Sequence, residues 1–167
     1  MPVLDLLDLP AVTPEHSAWA GLDLGSKTIG VAVSDVTRTV ASPLRLIRRT
    51  KFTDDAHALF ALIEERRLSA LVIGLPVNMD GSEGPRAQSA RAFARNLLRL
   101  RELPIAFWDE RLSSVAVNRM LIDEADLTRA KRAEVVDRAA AAWILQGALE
   151  RVRVGSMLPG DIGEDQP

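Results

Sequence analysis

Short apolar runs near the start of the chain predict an antiparallel sheet. Residues 19–24 and 29–35 have β-type patterns and are separated by residues 25–28, which predicts a hairpin. A third run at 40–48 completes a three-stranded meander. Pro43 within that run favours the sheet edge, because proline has no N–H group to donate to a neighbouring strand.

Helical and strand patterns alternate after this meander. Thr53 predicts the N-cap of a helix that ends near Arg67, since two acids fill its first turn and apolar residues recur at helical spacing. Residues 70–76 and 104–108 are unbroken apolar runs, the pattern of parallel strands covered on both faces. Between them a loop leads to a helix that starts at Pro85. The predicted buried face of this helix consists of Ala90, Phe93, Ala94, Leu97 and Leu98.

Two further helices are predicted in the C-terminal part of the chain. Ser113 has the position of an N-cap for a helix through Ala125, and a buried helix covers 134–154. The element order β-β-β-α-β-α-β-α-α predicts an α/β fold. We expect a mixed five-stranded sheet, in which the antiparallel meander joins parallel strands and helices flank both faces.

Charge divides the chain into three segments. Residues 1–18 contain three acids and no lysine or arginine, and residues 155–167 again contain three acids and no base. We therefore expect an acidic N-terminal extension, a domain over 19–154 and an acidic C-terminal tail. The domain holds 17 acids and all 21 bases, a net charge of +4, and 18 of these bases are arginines. Arginine suits phosphate oxygens, so this balance permits a nucleic-acid partner without requiring one.

Length and composition exclude several classes of protein. The 167 residues suffice for one domain, and the hydrophobic fraction of 47% with 26% charged residues is typical of a soluble globular protein. Cysteine is absent, which excludes disulfides, thiolate zinc sites and cysteine nucleophiles. No apolar run reaches the roughly 18 residues of a membrane-spanning helix, and the first residues lack the basic region of a secretory signal. We expect a cytoplasmic protein with no membrane partner.

Asp23 is the first candidate for chemistry. A carboxylate within a buried strand costs several kcal/mol unless it is paired or binds a cation. Strand alternation puts Asp23 on the face opposite Leu22 and Leu24, and Gly21 and Gly25 leave space around it for a metal or a phosphate. The alternative is an aspartate that caps the hairpin turn.

Asp109 and Glu110 directly follow the apolar strand at 104–108. Adjacent strand residues point to opposite faces, so only one of these acids can share a site with Asp23. We choose Glu110 for the site and assign Asp109 to orienting the substrate or another ligand. The alternative is a solvated strand exit ahead of the Ser113 cap.

Asp137 lies near the start of the last predicted helix, where Val136, Ala140 and Ile144 indicate burial. An acid in a first turn is also favoured by the helix dipole alone. The other interpretation is that Asp137 supplies a third oxygen ligand to the site of Asp23 and Glu110. This helix is the remaining element placed to supply one.

Three carboxylates without cysteine suit a hard cation such as Mg²⁺ or Mn²⁺. Two such ions can promote phosphodiester cleavage. His16 and His57 are predicted to be surface residues and not ligands.

Basic residues cluster around these acids in the sequence. Arg91, Arg95 and Arg99 recur every four residues on one helix face, and Arg86 and Arg101 extend the cluster. Such stripes are often only solvated helix faces, but around an acidic centre they match a phosphate backbone that passes a metal site. The predicted nucleic-acid contacts are Lys27, Asn78, Arg86, Arg91, Arg95, Arg111, Arg129, Lys131 and Arg132.

Four segments together resemble the YqgF/RuvX family of the ribonuclease-H-like superfamily. They are GLDLGSKTIGVAVSD (21–35), VIGLPVNMDGSEG (72–84), WDERLSS (108–114) and VVDRAAAAWILQ (135–146). The resemblance covers about residues 19–152 and implies a ribonuclease-H-like fold. It also implies a metal-dependent nuclease centre whose acidic positions are Asp23, Glu110 and Asp137, with Asp109 as a further candidate ligand.

The resemblance implies a bacterial cytoplasmic protein that matures the 5′ end of precursor 16S rRNA. Its expected cofactor is Mg²⁺ or Mn²⁺, as two ions, and its expected partner is structured RNA. Family members are also described as Holliday-junction resolvases, which makes branched DNA the alternative substrate. This chain departs from the family pattern at Arg138, where a small residue is frequent, and in its acidic N-terminal extension.

Three other functions compete with an RNA nuclease. Junction resolution requires a homodimer with two active sites, whereas a monomer suffices for RNA cleavage. A non-catalytic ribosome-assembly factor would keep the acids for structure alone. An actin-like ATPase shares the pattern of strand, Asp-Leu-Gly and hairpin, but it needs two such domains and this chain supplies one.

Overall fold

The fold is described from a computed structural model that covers residues 2–112 and 129–157, with residues 129–138, 156 and 157 given by their backbone alone. Five strands of this described part form one mixed sheet in the order β3-β2-β1-β4-β5. The strands are β1 (Ala18–Leu24), β2 (Thr28–Ser34), β3 (Ala41–Arg48), β4 (Leu68–Leu75) and β5 (Ile105–Asp109). The predicted five-stranded sheet is confirmed.

The first three strands form the predicted antiparallel meander. The hairpin between β1 and β2 is closed by the Gly25 N–H, which donates to the Thr28 carbonyl oxygen at 2.9 Å. β3 pairs with β2 and lies at the sheet edge. Pro43 sits in β3 beside a register shift, at a place where the missing N–H is tolerated.

The other half of the sheet is parallel, as the unbroken apolar runs predict. β4 pairs in parallel with both β1 and β5 and is buried along almost its whole length. The carboxyl ends of β1, β4 and β5 therefore meet at one edge of the sheet, the edge at which parallel sheets bind ligands.

Helices cover both faces of the sheet. The described residues form α1 (Leu9–Val12), α2 (Phe52–Arg66), α3 (Pro85–Leu100) and α4 (Arg129–Met157). α2 and α3 pack over the core that contains Leu22, Leu71 and Ile105. α4 packs over the opposite core, which contains Trp19 and Val72. The predicted buried face of α3 is confirmed, with Leu98 only partly buried.

Two helix boundaries differ from the prediction. Thr53 does not cap α2, which begins at Phe52, two residues earlier than predicted, after the extended Lys51. The carboxylate of Asp55 instead accepts hydrogen bonds from the backbone N–H and hydroxyl of Thr50, at 2.9 and 3.2 Å. α4 begins at Arg129 instead of residue 134, because Arg, Ala and Lys in the segment expected as a basic loop favour helix. The helix predicted from Ser113 to Ala125 lies outside the described residues.

The acidic N-terminal extension packs on the edge of the sheet. The Leu4 N–H donates to the Ile105 carbonyl oxygen at 2.8 Å, and Leu4 forms a parallel bridge with Ala106 of β5. A 3₁₀ turn at Leu6–Asp8 leads into α1, where Leu9 is fully buried in the α4-side core. No helix in the described part of the chain has the length and apolarity to cross a bilayer.

Candidate active site at the carboxyl edge of the sheet

Asp23 lies in a buried position near the end of β1, with 5% of its surface exposed. The face of β1 that carries Asp23 also carries Gly21, against which α4 packs at backbone distance. A Cβ atom on Gly21 would lie 2.6 Å from Leu145 Cβ and 2.9 Å from the Ala141 carbonyl oxygen. The absence of a side chain at residue 21 therefore lets α4 approach the strand that bears Asp23.

Glu110 brings a second carboxylate to this same face. It follows β5 directly, in a 3₁₀ turn over Glu110–Leu112. Its Oε1 atom lies 3.3 Å from the point that a Cβ atom on Gly74 would occupy, and Ile144 of α4 lies over that same glycine. The pairing of Leu22 with Ile73 makes Gly74 the next residue of β4, beside Asp23. The structure thus places both carboxylates on the α4 face of the sheet, with Asp23 on β1 and the Glu110 carboxylate over the adjacent strand β4.

Asp109 is engaged elsewhere, as the alternation of β5 requires. Its carboxylate accepts hydrogen bonds from Arg111 Nη2 at 2.7 Å, from Arg111 Nε at 3.1 Å and from the Arg111 backbone N–H at 2.9 Å. These bonds from Arg111 lower the pKa of the Asp109 carboxyl and raise the pKa of Arg111. Arg111 Nη1 also donates to the carbonyl oxygens of Asn78 and Met79 at 3.3 and 3.5 Å. Asp109 therefore helps Arg111 hold the loop that follows β4.

Asp137 belongs to α4, and its side chain lies outside the described residues. The direction of the α4 backbone still shows where residue 137 lies along β1. Trp19 lines a cavity with Leu149, while Gly21 lies against Ala141 and Leu145, so α4 runs antiparallel to β1. Residue 137 precedes Ala141 by about one helical turn, on the course toward the end of β1 that carries Asp23.

The acidic residues that the structure describes do not form a complete metal site by themselves. Among the described side chains, no three His, Asp or Glu groups lie close enough together to hold a metal ion. The third predicted ligand, Asp137, is not among them. His16 and His57 are exposed, which confirms their predicted surface positions.

Two of the predicted nucleic-acid contacts already have acidic partners. Arg91 donates to both carboxylate oxygens of Glu83 at 2.6 Å, and its guanidinium lies 5.1 Å from the ring centroid of Phe107. These hydrogen bonds lower the pKa of Glu83 and raise that of Arg91. Arg111 is paired with Asp109 as described above. The positive charges of Arg91 and Arg111 are therefore partly neutralised within the protein.

The remaining predicted contacts divide into exposed and undescribed side chains. Lys27, Arg86 and Arg95 are exposed, and Asn78 is exposed with its amide donating to the Ser82 hydroxyl at 3.0 Å. Arg101, which extends the basic cluster without being a predicted contact, lies at the end of α3 and pairs with Glu64. The side chains of Arg129, Lys131, Arg132 and Arg138 lie outside the described residues.

Sequence reasoning missed Gly74, on which the placement of Glu110 depends. The available signal was a glycine inside an otherwise unbroken apolar strand, which marks a close approach of another group.

Comparisons with known proteins identify the relatives of this chain. Residues 17–151 match the model of a family described as "RuvX: Holliday junction resolvase". A protein of Phenylobacterium zucineum named "Putative pre-16S rRNA nuclease" is 74% identical over 154 residues, which is 92% of this chain and 99% of that protein. A protein of Caulobacter vibrioides with the same name is 65% identical over 154 residues, again 92% of this chain and 99% of the relative.

Solved structures identify the fold. Thermus thermophilus RuvC in complex with a Holliday junction substrate matches with a TM-score of 0.52 at 13% identity, over 84% of this chain and 98% of that one. A second structure of Thermus thermophilus RuvC matches with a TM-score of 0.50 at 14% identity, over 83% and 96% of the two chains. The expected ribonuclease-H-like fold is confirmed.

Proposed function

We propose that this chain, which belongs to the RuvX family, is a metal-dependent nuclease that processes the 5′ end of precursor 16S rRNA. As a member of this family it is a hydrolase of phosphodiester bonds. The observation that carries the metal-dependent site is the placement of Glu110 over Gly74, beside the buried Asp23 and under α4. Residues 19–154 form the proposed nuclease domain, and the cytoplasm is its proposed location.

The donor set fits Mg²⁺ or Mn²⁺. Asp23 and Glu110 offer carboxylate oxygens, which hard divalent cations prefer, and the chain has no cysteine to favour a softer metal. Asp137 is the proposed third ligand, because the N-terminal part of α4 lies toward the end of β1 that carries Asp23. When bound, a pair of such ions supplies Lewis-acid stabilisation for phosphodiester hydrolysis.

The protein's own residues hold and orient the reacting groups. Asp23 is fixed by its strand, and the close packing of α4 on Gly21 keeps water away from one side of the site. Glu110 is positioned by the end of β5. Asp109 acts through Arg111, which holds the loop after β4 at the same edge of the sheet. In the reaction, water adds to phosphorus and one P–O ester bond breaks, which leaves a phosphate monoester and a hydroxyl group.

The exposed bases supply the proposed contacts to substrate. Lys27 lies in the hairpin after Asp23 and Arg86 in the first turn of α3, both at the carboxyl edge. Contacts of this kind bind phosphates and position a strand without reading its sequence. Recognition of this kind depends on the shape and backbone of the nucleic acid, so a structured RNA suits the site without a defined base sequence.

Holliday-junction DNA is the second candidate substrate, favoured by the family description and by the fold shared with RuvC. The same centre is able to cut either nucleic acid. Junction resolution additionally requires two active sites that face symmetry-related strands, and hence a homodimer.

Cleavage by purified wild-type protein and by Asp23→Asn tests the proposal. The substrates are end-labelled precursor 16S rRNA and a four-way DNA junction, each with Mn²⁺, with Mg²⁺ and with EDTA. We expect the wild type to cut the RNA in a metal-dependent manner and Asp23→Asn to be at least about 100-fold slower. Preferential cutting of the junction by a dimer would favour Holliday-junction resolution over RNA processing. Equal rates for wild type and Asp23→Asn would reject the site, and RNA binding without cleavage would favour a ribosome-assembly factor.

A further inference from the structure

A second basic feature lies beside the proposed active site. A cavity of about 210 Å³ opens between the β1–β2 hairpin and the first turn of α3. Its polar lining consists of Ser26, Arg49, Arg86 and Ser89, and the rest of its lining is apolar or glycine. Among the residues that the structure describes, no acidic residue lines it. The cavity therefore presents two guanidinium groups and two hydroxyls without a compensating charge.

Arg49 is held in this cavity by contacts that leave its charge uncompensated. Its Nη1 donates to the Gly25 carbonyl oxygen at 2.7 Å, and its guanidinium lies 5.8 Å from the ring centroid of Phe93. Its backbone N–H donates to the Lys27 carbonyl oxygen at 2.8 Å. The residue is half-buried, and it forms no ion pair with a carboxylate in the described part of the chain.

This arrangement is typical of an anion site. Placing a cation in a partly buried position costs free energy that a counter-ion offsets. Elsewhere in the described residues, the partly buried Arg91 has such a partner in Glu83, whereas the partly buried Arg38 donates to the Thr13 hydroxyl and the Pro14 carbonyl oxygen. At Arg49 the corresponding position is open to a ligand through the cavity.

The cavity is close enough to Asp23 to act on the same substrate. Gly25, which lines it, follows Asp23 by two residues, a distance of about 7 Å along a strand. Successive nucleotides rise about 3.4 Å along one strand of a helix. Asp23 faces α4 and the cavity lies on the α3 side of the sheet, so a nucleic-acid strand that passes around the carboxyl edge brings phosphates to both.

We propose that the cavity between the hairpin and α3 binds a backbone phosphate of the substrate, next to the scissile phosphate, through Arg49, Arg86, Ser26 and Ser89. This inference rests on the proposed nuclease function and names the subsite that fixes the register of the strand. Guanidinium forks and hydroxyls are suited to phosphate oxygens. The subsite would orient the strand at the scissile phosphate without reading bases.

Neutralising single phosphates in the substrate tests the subsite. A short precursor-RNA segment is prepared with one 2′-deoxy methylphosphonate linkage at each position near the cleavage site, and with matched 2′-deoxy phosphodiesters as controls. We expect the wild type to lose at least about tenfold in kcat/KM at one linkage within two nucleotides of the cut. Arg86→Gln should show a similar loss on the unmodified segment and little further loss at that linkage.

Arg66→Gln is the matched control variant. Arg66 is likewise an exposed helical arginine, but it ends α2 just before β4 begins, at the opposite edge of the sheet. We expect it to respond to every linkage as the wild type does. Equal sensitivity of wild type and Arg86→Gln at every linkage would overturn the subsite, even though the nuclease function would stand.

A binding measurement decides the subsite independently of catalysis. Inorganic phosphate is titrated into ¹⁵N-labelled protein, with sodium chloride at matched ionic strength as the control. We expect saturable shifts of the Ser26, Arg86 and Ser89 amides in wild type and Arg66→Gln, and their loss in Arg49→Gln and Arg86→Gln. If the wild type cleaves no substrate, the proposed nuclease function is wrong, but this titration still tests whether the cavity binds phosphate. Shifts that are absent, or that persist in Arg86→Gln, would refute phosphate binding there.

Discussion

The Oε1 atom of Glu110 lies 3.3 Å from the point where a Cβ atom on Gly74 would stand. A carboxylate at the end of β5 thus occupies space over β4 that any side chain at residue 74 would compete for. Ile144 of α4 uses the same space from above, with its Cδ1 atom 2.5 Å from that point. One glycine therefore sets both the packing of the helix and the position of a proposed catalytic carboxylate.

Gly74→Ala is expected to lower both stability and activity. The added methyl group collides with Ile144 and crowds Glu110, and overpacking of this kind costs about 1–3 kcal/mol. Urea denaturation measures the free energy of unfolding, and cleavage of precursor RNA measures the activity.

The double variant Gly74→Ala/Ile144→Val separates the two effects. Removing the Cδ1 atom relieves the collision with Ile144 but leaves the crowding of Glu110. We expect the double variant to be more stable than the sum of the two single changes predicts, and to stay impaired in cleavage. If the stability losses of the two single variants simply add, the collision with Ile144 is not what destabilises Gly74→Ala.

The ion pair between Asp109 and Arg111 predicts a pH-dependent contribution to stability. Because hydrogen bonds from Arg111 lower the pKa of Asp109 in the folded protein, this contribution is present above the ordinary aspartate pKa of about 3.9. It is lost as the pH falls through the lowered folded pKa. Urea denaturation of wild type and Asp109→Asn should therefore show a stability difference at neutral pH that shrinks below about pH 4.

Arg111→Gln provides the control for this pH dependence. In the Arg111→Gln background, the effect of Asp109→Asn should be smaller and should lose most of its pH dependence below pH 4. A difference between wild type and Asp109→Asn that stays constant over this range would contradict the role given to the pair.

Leu9→Ala is expected to destabilise the whole domain, although Leu9 lies in the acidic N-terminal extension. The side chain is fully buried in the α4-side core, and truncations of this kind cost about 2–5 kcal/mol. Val12→Ala, in the same helix at an exposed position, should change stability by less than about 0.5 kcal/mol. Thermal or urea unfolding that treats the two variants alike would show that the extension does not stabilise the fold.

Most of the fold follows from periodicity. The meander, the buried parallel strands and the helix beginning at Pro85 all lie where the apolar pattern predicts them. The choice of Glu110 over Asp109 for the face shared with Asp23 follows from strand alternation, and the geometry at Gly74 supports it.

The features that escaped prediction depend on contacts between distant segments. Asp55 reaches back to Thr50, so Thr53 is not needed as a cap. Glu83, in a loop, pairs with Arg91 and neutralises its charge, which the spacing of arginines along the helix does not predict. The burial of Leu9 has no local signal, because a proline-broken segment shows no periodicity. Each of these requires knowing which parts of the chain meet.

Binding of Mn²⁺ tests the central claim that Asp23, Glu110 and Asp137 together hold divalent ions. Electron paramagnetic resonance of free Mn²⁺ is followed as protein is added, with Glu83→Gln as the control because the Glu83 carboxylate is already paired with Arg91. We predict saturable binding by wild type and Glu83→Gln, and at least about tenfold weaker binding by each of Asp23→Asn, Glu110→Gln and Asp137→Asn, or about 1.4 kcal/mol. Unchanged Mn²⁺ affinity in the three site variants would contradict the account.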